Sequence, residues 1–233
     1  MCFSAEASFT VAAACAGAGT LSVMKCPAPG YFPLACLPLA FALQQTAEGV
    51  VWLQIAQSPA GWTSGFFPAV FVFFATVFWP TYAPLAIRAE RHGAERRRTL
   101  DVLVGIGLII SFAFLLKLVG SDTFAHAENH HIRYASQTHD FDRGLTYRPV
   151  ITGRDWILVP YAGVTMLSLL LSRLRPVRWF GVLVLLALIA VLLVDRTVLV
   201  SIWCYCAASG SVLIALAILQ VRQNMTASPL NRP

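Results

Sequence analysis

Phe41-Ala-Leu-Gln-Gln-Thr-Ala-Glu-Gly-Val-Val-Trp52 lies inside a long apolar stretch that runs from Phe32 to Ile55. A helix needs roughly 20 apolar residues to cross a bilayer, and this stretch is long enough. Yet it carries Gln44, Gln45 and Glu48. On a helix Gln44 and Glu48 are i,i+4 neighbours, and Gln45, Glu48 and Trp52 continue the same stripe. A carboxylate inside a bilayer costs at least ~2.5 kcal/mol on insertion scales. Glu48 is therefore expected to face protein or a water-filled cavity, and the chain reads as a membrane protein with a polar interior site.

The whole composition agrees. Of 233 residues, 58% are hydrophobic and only 12% charged, with mean hydropathy +0.69. An ordinary soluble domain carries about twice that charged fraction. The net charge of +6 comes from arginine clusters between apolar runs, with no aromatic-interleaved basic patch of the kind that binds nucleic acid. The six cysteines (Cys2, Cys15, Cys26, Cys36, Cys204 and Cys206) form no Cys-x-x-Cys pair, and most read as small buried apolar groups. The N-terminus lacks a positively charged n-region, so it is expected to stay on the protein rather than leave as a signal peptide.

Seven segments qualify as spans: about 6–24, 31–56, 63–87, 100–120, 156–173, 177–194 and 197–221. The expected fold class is all-α: a polytopic seven-helix transmembrane bundle forming one domain over 1–233. Pro68, Pro80 and Pro84 should kink or break the third span. Asp195-Arg196 should cap a tight hairpin, and the tail after about 223 should be disordered. Arg88, Arg91 and Arg96 to Arg98 fall between spans three and four; Arg173, Arg175 and Arg178 fall between five and six. The excess of Lys and Arg in short loops marks the cytoplasmic side. The N-terminus and the 121–155 loop are then outside, and the C-terminus is cytoplasmic.

That orientation gathers reactive residues at one level. Glu48 falls in the outer third of the membrane; Ser201, Trp203 and Cys204 come one to two turns into the seventh span, and Cys2 precedes the first. His126, His130, His131 and His139 lie in the outer loop, whereas His92 among the arginines reads as a solvated bystander. If the fourth span continues as a helix, His126 and His130 are i,i+4 and face one way, as zinc or copper requires. The loop also carries Phe124, Ile132 and Tyr134, which a solvated linker does not need, so it is expected to fold onto the bundle.

Three motifs carry a family resemblance. Met1-Cys-Phe-Ser-Ala, Gln44-Gln-x-x-Glu48-Gly-x-x-Trp52 and Ser201-Ile-Trp-Cys204 resemble a family of uncharacterised bacterial integral-membrane proteins that begin Met-Cys-Phe-Ser-Ala, a domain of unknown function. The resemblance spans nearly the whole chain. It implies a polytopic bacterial membrane protein and brings no activity with it.

Three functional readings follow for a multi-pass protein of the bacterial inner membrane, with lipids as neighbours. The preferred one is a metal-dependent enzyme acting on a lipid or small outer-face substrate. In it Glu48, Cys204 and Cys2 are the catalytic groups, and Gln44, Gln45, Trp52, Ser201 and Trp203 line the site. His126, His130 and His131 with Glu48 hold the metal. The alternatives are a transporter or channel with Glu48 as proton or cation site, and a bundle that binds a hydrophobic cofactor or a partner. Transport calls for a second polar site toward the cytoplasm, where Thr76, Thr81 and Tyr82 are the best candidates.

Overall fold

The computed structural model describes residues 4–90, 92–128, 131–140, 144–150, 156–194 and 199–227. Helix α1 (Ala5–Met24) starts at Ser4, whose side chain accepts the Ala7 N–H. A 3₁₀ turn at Pro29–Tyr31 and the short α2 (Phe32–Ala35) lead into α3 (Leu37–Gln57). Strand β1 (Trp62–Ser64) follows, then α4 (Phe66–Val72), a π-helical turn (Phe73–Phe78), α5 (Trp79–Arg88) and α6 (Ala94–Val119). Three strands come next, β2 (Thr123–Glu128), β3 (His131–Asp140) and β4 (Gly144–Pro149). Helices α7 (Leu158–Leu170), α8 (Arg175–Val194), α9 (Leu199–Gly210) and α10 (Val212–Ala227) complete the chain.

Among the described residues six helical segments are long and apolar enough to cross a membrane: Ala5–Met24, Pro29–Gln57, Phe66–Arg88, Ala94–Val119, Arg175–Leu193 and Val200–Thr226. The expected fifth span, 156–173, is the shorter α7, with 13 residues. At the helical rise that is about 20 Å, shorter than a hydrocarbon core of ~30 Å. The last span is broken at Ser211, whose hydroxyl bonds the Ala208 carbonyl. Helix α10 continues to Ala227, past the point where a disordered tail was expected. Asp195-Arg196 lies outside the described residues.

The fold is not all-α. The loop expected to follow the fourth span forms β2, β3 and β4, and β1 from between α3 and α4 joins them in a sheet of order β1-β2-β3-β4, every pair antiparallel. Its cause is a period of two. Thr123, Ala125 and Ala127 alternate with Phe124, His126 and Glu128, and Ile132, Tyr134 and Ser136 alternate with His131 and Arg133. Alternate residues of a strand point to opposite faces. The face made of Thr123, Ala125, Ile132, Tyr134 and Ser136 is buried, and Tyr134 stacks on Phe71 of α4 with centroids 4.5 Å apart. The sheet therefore caps one end of the bundle, where α3 and α6 end and α4 and α7 begin.

The prolines shape the third span as their chemistry requires. Pro84 has no N–H to give the Pro80 carbonyl, and Pro80 removes another backbone donor. The helix widens to the π-helical turn before Pro80. Neighbouring elements bond carbonyls of that turn: Tyr161 Oη donates to Ala75 O (2.7 Å) and Ser111 Oγ donates to Val77 O (2.5 Å). Small residues then let helices touch. A Cβ at Gly107 of α6 would stand 2.0 Å from the Pro80 oxygen, and one turn on Ser111 shares a 2.8 Å hydrogen bond with Thr81. Without a hydrophobic drive between helices in lipid, such close packing is what holds them together.

Candidate functional site

The interior of α3 is polar on one face. Gln44, Gln45 and Glu48 are all buried, and Glu48 is 1% exposed. Ser201 Oγ of α9 donates to Glu48 Oε1 (2.5 Å), and Gln45 Nε2 donates to Glu48 Oε2 (3.1 Å). Gln44 turns to the other side, where its Oε1 accepts the Trp79 indole N–H at 2.9 Å. Cys204, one turn from Ser201, is buried and near enough to Glu48 and Gln44 to feel both electrostatically. No Lys or Arg forms an ion pair with Glu48 among the described residues. Two polar atoms beside it have no hydrogen-bond partner, Gln44 Nε2 and Gln45 Oε1; Trp52 Nε1, one turn on, has none either.

Below this cluster lies a cavity of about 50 Å³. Its walls include Phe41, Trp79, Tyr161, Phe180, Trp203 and Cys204. Phe41 stacks on Trp79 with centroids at 4.0 Å, and Tyr161 meets Trp203 edge-on at 5.6 Å. The polar atoms of these rings are all bonded to protein: the Trp203 indole N–H to Val184 O at 3.0 Å, the Trp79 indole N–H to Gln44 Oε1 and the Tyr161 hydroxyl to Ala75 O. The space is thus apolar. Trp203 is a wall of the bundle rather than a boundary residue, whereas Trp156 at 81% exposure projects outward.

The histidines do not join Glu48. His126 is on a strand, not a helix, and it stacks on Trp62 across the β1–β2 pair at 4.0 Å. Register places His126 opposite Arg133 and Glu128 opposite His131, so these four share a face of the sheet opposite to Tyr134. Arg133 holds the Glu128 carboxylate at 2.7 Å, and His126 Nε2 lies 3.4 Å from it. Among the described residues no three His, Cys, Asp or Glu side chains converge as metal ligands. The expected histidine rim above Glu48 is therefore corrected: period two sends the His126 and His131 imidazoles to the far face. Cys2 and His130 lie outside the described residues.

What replaces the histidines is Tyr134. Its ring is in the sheet's buried face, and burial first, then the Glu48 charge, pushes its phenol well above the usual range. Its hydroxyl has no hydrogen-bond partner. Deleting an unsatisfied buried hydroxyl is neutral or favourable. Tyr134→Phe is expected to leave the melting temperature in detergent unchanged or raised by up to ~1 kcal/mol equivalent. A clear drop in stability would show that the hydroxyl is bonded after all.

A second buried carboxylate escaped the sequence reading because it sits in the arginine cluster. Glu90, past the end of α5, accepts the Ser172 hydroxyl at 2.7 Å and the Arg173 backbone N–H at 3.0 Å. His92, far from being a solvated bystander, has a fully buried side chain 3.7 Å from Glu90, and its Nε2 is 2.7 Å from the Ile87 carbonyl. Burial pushes the Glu90 carboxyl up, against the Ser172 and Arg173 hydrogen bonds and the His92 and Arg173 charges. A carboxyl whose folded pKa is raised contributes stability that is full below its unfolded value and lost as pH rises through the folded value. Melting temperature in detergent should therefore fall as pH climbs from about 4.5, and the difference between wild type and Glu90→Gln should isolate that slope. Parallel curves for the two proteins would contradict it.

With the geometry in place, the chain can be compared with known proteins. A family model described as a family of unknown function, DUF6629, matches residues 1–229. The chain belongs to that family. No curated protein matches it, and no solved structure does. Membership spans nearly the whole chain, so the Glu48 cluster, the sheet and Glu90 all lie within the matched region. It assigns none of them a role.

Proposed function

We propose that this protein is a transporter or channel that exchanges protons at Glu48. The observation that carries this is a carboxyl group inside a candidate span, held among the described residues only by the neutral donors Ser201 and Gln45. Intramembrane carboxyls mark ion paths and proton relays. The surroundings suit both states of the group. Ionised, it accepts from Ser201 and Gln45; protonated, its O–H can donate to Gln45 Oε1, which is free to accept once the carboxamide turns. No charged partner has to leave when the proton does.

The enzyme reading is weaker, because it needs imidazoles beside Glu48, and His126 and His131 lie on the other face of the sheet. The cofactor-binding reading keeps one supporting observation, the aromatic walls of the cavity, which suit a small apolar ligand. In the orientation that the arginine loops favour, the sheet is on the outer face of a bacterial inner membrane, with the C-terminus cytoplasmic.

The test is proton flux into dye-loaded proteoliposomes under an imposed pH gradient. The wild type is expected to dissipate the gradient, and Glu48→Gln to slow this at least ~10-fold, about 1.4 kcal/mol. Gln keeps the size and the Ser201 hydrogen bond, so its stability should change little. Equal flux from the two proteins would sink the proposal.

A further inference from the structure

Glu48 stands toward the sheet end of the bundle, and Glu90 at the opposite end. Helices α5 and α7 join the two levels. Trp79, whose indole holds Gln44, and Ala83 lie on α5 in the cavity wall, and the same helix leads on to Glu90. On α7, Tyr161 and Thr165 line the cavity, and Ser172, just past the helix, bonds Glu90. From Tyr161 to Ser172 is about 16 Å at the helical rise, roughly half a hydrocarbon core.

Thr165, Ser168 and Ser172 are all buried. Spaced i, i+3 and i+7, they share one face. This row of hydroxyls starts in the cavity and ends on the Glu90 carboxylate. At the Glu90 end the buried His92 Nδ1 has no hydrogen-bond partner among the described residues. A structural row would not need a cavity at one end and a buried carboxyl–imidazole pair at the other.

We infer that Glu90 is a second proton station on the path from Glu48, reached through the cavity and the Thr165–Ser168–Ser172 hydroxyls. This rests on the proton-exchange reading of Glu48. In one transfer the O–H bond at Glu48 breaks and one at Glu90 forms. Each hydroxyl between them accepts one proton and donates another, and cavity water bridges the gap. Among the described residues His92 and Arg173 are the basic groups that face Glu90, and both favour its ionised form as acceptor.

The structure holds the path closed. Thr165 donates to Tyr161 O at 2.9 Å and Ser168 to Thr165 O at 2.8 Å, so neither hydroxyl points along the row. The apolar cavity offers too few polar partners to keep water permanently. Hydrating it opens the path, and the membrane is otherwise sealed against leak.

Proton flux into proteoliposomes decides between outcomes. Wild type should conduct, and Glu48→Gln and Glu90→Gln should each lose at least ~10-fold, with Glu90→Asp recovering part of the rate. Flux from Glu90→Gln within twofold of wild type, while Glu48→Gln is inactive, overturns the second station and leaves the Glu48 reading standing. No Glu48 dependence at all removes both. Should Glu90→Gln fail to fold, Thr165→Val is read in its place: it keeps the side chain's shape, and flux within twofold of wild type overturns the path.

Discussion

Gly107→Ala is expected to cost roughly 3 kcal/mol, the upper end of what overpacking a core does. The added Cβ would lie 2.0 Å from the Pro80 oxygen and 2.8 Å from its carbonyl carbon. Both are backbone atoms and cannot swing aside as a side chain could. Relief has to come from moving α6 off α5, which breaks the Ser111 bonds to Thr81 and to the Val77 carbonyl one turn away. The second of these is anchored to a carbonyl of the π-helical turn, so the damage reaches that turn and, through Ala75, Tyr161. Gly105 is the internal control. It lies two residues earlier on the same helix and has open space where its Cβ would go. Gly105→Ala should leave stability unchanged or raise it by up to ~1 kcal/mol. Melting temperatures of both variants in one detergent check the pair. Equal effects would mean that α5 and α6 do not pack as described.

Trp203→Ala should cost about 3–5 kcal/mol, the usual range for deleting a large buried aromatic. Transfer from water is not the source of that cost here, because lipid tails are as apolar as the core. The loss is of packing contacts: Trp203 meets Tyr161 edge-on and forms part of the wall of an existing space of about 50 Å³. Removing the indole joins its volume to that space, and a cavity costs stability in proportion to its size. Trp203→Phe keeps most of the ring and should cost only about 1–2 kcal/mol, chiefly the indole bond to Val184 O. An apolar cavity of this enlarged kind binds benzene. Saturating benzene is therefore expected to raise the melting temperature of Trp203→Ala and not that of wild type. A Trp203→Ala protein as stable as wild type would show that the cavity has other support.

Legibility differed from element to element. The stripe of Gln44, Gln45 and Glu48 is local: three residues within two helical turns, in a run too apolar to be anything but a span. Helical period alone puts them on one face, and the cost of a lipid-facing carboxylate turns that face inward. The proline-induced break was legible for the same reason, since a missing N–H is a property of one residue. The sheet was equally local in principle. Phe124 to Glu128 and His131 to Ser136 alternate with period two, and reading His126 and His130 with a helical spacing passed over that pattern.

Position in the chain hid Glu90. Between Arg88 and Arg96 a glutamate looks like one more solvated charge, and nothing nearby in sequence says that Ser172 will meet it 82 residues later.

The sequence by itself determined that the chain has the composition of a multi-pass membrane protein and that Glu48 turns inward, because each follows from composition or from a few consecutive residues. Only the tertiary structure decided what Glu48 turns toward. Ser201 is 153 residues away and Trp79 is 35 from Gln44. Such pairings depend on how helices sort themselves by size and shape once in the membrane, where no burial of apolar surface ranks one neighbour over another. The same holds for the sheet, whose alternation sets two faces but not which of them packs onto the bundle. Contact with Phe71, α3 and α9 chose the Tyr134 face, and His126 and His131 were left on the other.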